Sequence, residues 1–77
     1  MTNNTGDYKE TLINCSKVID IDDKTTKAYF LRSKANLKLH NYDEAIDDIK
    51  AAIKLSPSDK NLRDEFENIK KERTKYN

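Results

Sequence analysis

Turns in β structure consume glycine and proline, and this chain of 77 residues holds one of each. That scarcity argues against sheets and long loops. A single glycine also excludes a glycine-rich phosphate loop. The one cysteine, Cys15, cannot form an intramolecular disulfide, so a secreted, disulfide-stapled framework is not expected. The one histidine, His40, cannot make a metal site alone, and a catalytic dyad with Cys15 would need an accidental approach across the fold. No catalytic residue, metal or cofactor is therefore expected, and any enzymatic domain would lie outside these residues. Met1-Thr2-Asn3-Asn4-Thr5 lacks the basic and apolar blocks of a signal peptide. No apolar run has the length that crosses a bilayer. A soluble chain in a reducing, cytoplasmic compartment is expected, without a membrane partner. The formal net charge is only +1, which gives no whole-molecule attraction to nucleic acid. Nor are aromatics interleaved with lysines on an open platform, so no nucleic-acid partner is expected.

What the chain does have is charge and helix formers. Charged residues make up 38% and hydrophobic residues 35%, so any core is narrow and its helices strongly two-faced. The 15 Lys and Arg and 14 Asp and Glu supply exposed helical surface at little conformational cost. The fold class is all-α. The chain also repeats itself: Asp7-Tyr8-Lys9-Glu10 matches Asn41-Tyr42-Asp43-Glu44, each residue lying 34 positions from its partner. At the same offset Leu12 matches Ile46, Cys15 matches Ile49, Val18 matches Ala52, Ile19 matches Ile53 and Ile21 matches Leu55. These small and apolar pairs fall on one face of a helix. A fixed period of this length, carrying helix–turn–helix patterns, signals a stacked α-repeat.

Capping residues divide the chain into four helices. Asp7, with Glu10 as capping-box partner, opens the first, which runs to about Ile21; residues 1–6 form a disordered tail. Thr25 or Thr26 caps a second helix from Lys27 to Leu39. Asn41, paired with Glu44, caps a third, whose early Asp43, Asp47 and Asp48 suit the helix dipole. It ends near Leu55, because Pro57 disfavours helical geometry in Ser56. Ser58 or Asp59 caps a last helix to about Lys75, with a thin stripe of Leu62, Phe66, Ile69 and Tyr76. The expected units are 7–25, 26–59 and a capping helix over 60–77.

Residues 26–59 resemble a whole tetratricopeptide repeat: Ala28, Tyr29 and Ala35 in helix A, Tyr42, Ala45 and Ala52 in helix B, and Pro57 at the close. Residues 7–25 resemble the second half of a preceding repeat, and the last helix resembles the solvating helix that ends such arrays. Ser33 stands where the family usually has Gly, Arg32 where Leu is common, and Asp23 where a closing Pro is expected. Lys27 to Asn36 is similar to the last repeat of tetratricopeptide immunophilins and related co-chaperones. That resemblance implies a protein partner, the acidic C-terminus of a heat-shock chaperone, held by a Lys and a basic residue four positions later. Lys27 takes the first of those places; the second is Leu31, which offers no donor.

In stacked helical hairpins the A helices line the concave side. Between Lys24 and Tyr42 there are five basic residues and no acidic one. Lys27, Leu31, Lys34 and Lys38 fall on one stripe of the second helix, flanked by Phe30 and Leu37, opposite a packing face of Ala28, Tyr29, Ala35 and Leu39. The candidate peptide-binding residues are therefore Lys27, Phe30, Leu31, Lys34, Leu37 and Lys38, a basic groove for an acidic peptide. A merely solvated face, with Phe30 packed on a neighbour, is the plainer reading. The alternative role is structural: exposed helix faces assembling with another chain. Tyr8, Leu12, Cys15 and Ile19 lack the helix A that should cover them, so a homodimer through the N-terminal helix is expected.

Overall fold

The computed structural model describes the backbone of residues 4–75 and the side chains of residues 8–75. Four helices follow in order: α1 (Asn4–Ile21), α2 (Thr26–Lys38), α3 (Tyr42–Leu55) and α4 (Lys60–Lys75). The first begins three residues ahead of the expected Asp7. The Asp7 cap and the place of Tyr76 in the last stripe lie outside the described side chains. α2 packs on both α1 and α3, and α4 returns against α3 and touches the edge of α2. The shortest extent, 19 Å, is about two helix diameters, so the stack is two layers deep.

Small residues permit the close approach. Ala45, Ile49, Ala52, Leu62 and Ile69 form the buried cluster, with Tyr29, Phe30, Leu37, Ile46, Ile53 and Phe66 packed around it. Ser33 is fully buried where the family resemblance has Gly, and its hydroxyl donates to the Phe30 carbonyl at 2.7 Å. The open end of the α2–α3 hairpin is tied by Thr26 Oγ1 and Ser56 Oγ, 3.1 Å apart.

The caps differ from expectation. Thr25 and Asn41 stand at N-cap positions without a side-chain capping bond. Thr25 Oγ1 instead donates to the Asp22 carbonyl (2.9 Å), and Asn41 Nδ2 reaches Asn36 Oδ1 (3.3 Å), so the capping box with Glu44 is not made from Asn41. Asp59 does cap α4, its Oδ1 accepting the Asn61 amide at 2.9 Å. The α2–α3 turn is closed at the other end by Asn41 N–H to Asn36 O (2.8 Å) and His40 N–H to Leu37 O (3.0 Å). This Schellman arrangement puts His40 at φ 64°, the position where glycine is usual. His40→Gly should therefore raise stability by about 1 kcal/mol, less the lost contact of His40 Nδ1 with Tyr42 Oη at 2.8 Å, whereas His40→Val should lower it. Thermal melts of the two variants check this.

The period of 34 survives as structure, but its two copies are not equally covered. On α3, Asp48, Ile49 and Ala52 are buried, at 6%, 0% and 0% exposure. Their equivalents on α1 are Asn14, Cys15 and Val18; Cys15 is buried, Asn14 is exposed and Val18 is 42% exposed. α2 covers the α3 sector, whereas in its counterpart on α1 only Cys15 is covered and Asn14 and Val18 are left outside.

Candidate peptide-binding site

The three lysines of the expected stripe, Lys27, Lys34 and Lys38, are all exposed, along the solvent crest of α2. Ala28 and Ala35 are buried on the opposite side, and Tyr29 and Leu39 are half-buried. The six candidate residues are distributed over the crest and its two slopes. Lys27 and Leu31 line an almost wholly apolar groove of about 250 Å³ between α1 and α2. Leu37 and Lys38 line a second groove of about 220 Å³, shared with Asn68 and Glu72 of α4 and with the α2–α3 turn. Between the two, Lys34 Nζ stands 5.3 Å over the Phe30 ring, and Phe30 and Leu37 pack on the core cluster from the α4 side. The packing role of Phe30 is thus present in the fold, while its upper face meets a lysine. Lys38 shares its groove with the carboxylate of Glu72.

Arg32 leaves the basic set. Its Nε and Nη2 donate to both Asp48 oxygens, at 3.0 and 2.8 Å, and its Nη1 donates to Ser16 Oγ at 3.0 Å. Asn36 Nδ2 adds a third bond to Asp48, at 3.0 Å. Bidentate geometry makes this a strong, directional pair. It joins α1, α2 and α3 through side chains, and the hydrogen bonds that Arg32 donates to the Asp48 carboxylate hold its guanidinium above the ordinary arginine pKa. Among the described residues, no buried side-chain nitrogen or oxygen lacks a hydrogen bond. The pattern alone showed Arg32 as one more cation and Asp48 as a dipole partner. A signal was there: Ala45, Asp48, Ile49 and Ala52 share a buried helical face, and a carboxylate on such a face needs a partner.

Cys15 is buried beneath this network, and burial pushes its thiol above the ordinary value, with Arg32 acting in the opposite sense. The raised thiol favours the folded state fully below the unfolded thiol pKa, about 8.5, and that contribution is lost as pH rises through the folded value. Alkylation at mildly alkaline pH should accordingly be slower for the native chain than for the urea-unfolded chain. Equal rates would place the thiol in solvent. Among the described residues there is no group of His, Cys, Asp and Glu that could hold a metal, and no helix long and apolar enough to cross a membrane.

Antiparallel hairpins repeating every 34 residues, with an exposed A-helix crest, define a helical-repeat protein. Comparison with known families agrees: the tetratricopeptide repeat matches residues 26–59. The chain belongs to the tetratricopeptide-repeat family. It is similar to human tetratricopeptide repeat protein 12 (39% identity over 51 residues, 66% of this chain and 7% of that protein). It is also similar to the peptidyl-prolyl cis-trans isomerase FKBP42 of Arabidopsis thaliana (39% over 59 residues, 77% of this chain and 16% of the relative). A third relative is the DnaJ homolog subfamily C member 7 homolog of Schizosaccharomyces pombe (34% over 64 residues, 83% of this chain and 13% of the relative). The chain thus spans between 7% and 16% of the length of these relatives.

Proposed function

We propose that this chain is a non-enzymatic adaptor module that holds an acidic peptide segment along the crest of α2, in a cytoplasmic setting. The carrying observation is the exposure of Lys27, Lys34 and Lys38 on one side of a helix whose other sides are packed. Phe30, Leu31 and Leu37 flank them and supply apolar contact for the peptide's side chains. Lysines on flexible stems suit carboxylates presented at varied angles, and several together steer an acidic partner toward the surface. A chaperone's acidic C-terminus fits this chemistry, a reading supported by similarity to a DnaJ homolog and to a peptidyl-prolyl isomerase.

The test is titration with a fluorescent acidic peptide that ends in a free carboxylate. Lys27→Ala and Lys34→Ala should each weaken binding by roughly 0.5–2 kcal/mol, with helicity unchanged. Binding should also fall steeply with salt. A double variant that binds as tightly as the parent would contradict the reading. Leu31→Arg adds a donor one turn from Lys27 and should strengthen binding by about 1 kcal/mol for the free carboxylate but not for its amide. The alternative role, assembly through an exposed helix face, is favoured by one observation: the apolar groove between α1 and α2.

A further inference from the structure

Chains of this kind carry their large apolar residues inside, yet Val18, Ile21 and Leu31 are 42%, 87% and 40% exposed. They are neighbours. Val18 and Leu31 form the two walls of the apolar groove between α1 and α2, with Cys15 and Ala28 at its base. Ile21 lies one helical turn beyond Val18, at the end of α1, and its side chain is almost entirely in solvent. The same surface therefore presents a cavity of about 250 Å³ and, beside it, an aliphatic side chain with nothing around it. Of the residues that the sequence pattern left uncovered, Cys15 enters this surface only at the base of the groove, and Tyr8, Leu12 and Ile19 are half-buried and do not line it.

We propose that this face is a self-complementary docking surface for a second copy of the chain, related by a two-fold axis that inserts each Ile21 into the other's α1–α2 groove. This deepens the assembly reading and rests on it. A two-fold interface uses the same patch twice, so the patch must contain both members of each contact. Ile21 and the groove meet that requirement for the apolar part. The rim meets it for charge: Asp20 lies in the last turn of α1, Asp22 and Asp23 follow it, Lys24 and Lys27 precede and open α2, and all five are exposed. Laying the α1 end of one copy against the α2 start of the other brings acidic beside basic on both sides of the axis. The repeat itself shows that a groove of this kind accepts a filling side: the equivalent sector of α3, Asp48 and Ala52, is covered by α2. Two short helix ends give a small interface, and small interfaces form weak, concentration-dependent complexes.

Sedimentation velocity over a hundredfold range of chain concentration tests this. The parent should pass from monomer to dimer within the range, and Ile21→Lys and Val18→Lys should each raise the dissociation constant at least about tenfold, as loss of a central apolar anchor does. Both positions are exposed in the single chain, so circular dichroism should show unchanged helicity. A parent that stays monomeric throughout would overturn both this proposal and the assembly reading. A dimer whose dissociation constant is unmoved by either variant would overturn the Ile21-in-groove interface and leave assembly through another face standing.

Discussion

Arg32→Leu should destabilise the chain by about 3 kcal/mol or more, enough to unfold a large part of a domain this small. The substitution leaves the Asp48 carboxylate, 8% exposed, with only Asn36 Nδ2 as a side-chain partner. Arg32 itself is 24% exposed, so some water reaches the pair, which favours the lower end of the range for breaking a buried ion pair. Removing both charges should behave differently. Arg32→Leu with Asp48→Ala replaces the pair by apolar contact and should recover most of the loss, since buried pairs offset much of their attraction by desolvation. Urea titrations of the two variants read this directly. A single variant as stable as the parent would mean that Asp48 regains water by a shift of α3. The pair should also persist far into alkaline solution on the arginine side. The guanidinium's pKa is raised, chiefly by its hydrogen bond to Asp48, so its contribution is complete below the ordinary arginine value and is lost only above it.

Ile49→Ala should lower stability by about 2–5 kcal/mol, the range for deleting a large aliphatic side chain from a closed core. Ile49 is fully buried at the centre of the cluster that joins α3 to α4 and to the aromatic residues of α2. Cys15 occupies the same place in the preceding half-repeat, yet Cys15→Ala should change stability by only about 1 kcal/mol. Its side chain is smaller, and an open groove beside it lets the site relax. Equal effects at the two positions would show that the N-terminal half-repeat is as tightly closed as the complete one.

The architecture was legible because helical periodicity, the offset of 34 and the residues around Pro57 all point to the same hairpins. Helix ends fell within three residues of the structure, several of them on the expected residue, Asp59 as a cap included. The caps at Thr25 and Asn41 were not legible, since their side chains turn back to Asp22 and Asn36 within the preceding turns instead of bonding the helix they open. Arg32 shows the limit most clearly. Its partner lies 16 residues away, and a linear reading counts its charge without seeing that Asp48 already uses it. The crest of lysines needed only helical spacing, which is local. The uncovered face needed burial, which is not: spacing selected Tyr8, Leu12, Cys15 and Ile19, and α2 covers much of those four while leaving Val18 and Ile21 outside.

Backbone amide chemical-shift mapping during titration with an acidic peptide tests the central claim most directly. The account predicts perturbations concentrated on α2, at Lys27, Phe30, Leu31, Lys34, Leu37 and Lys38, that saturate with the peptide and shrink in high salt. Perturbations centred on the outer faces of α1 and α3, with α2 unmoved, would contradict it.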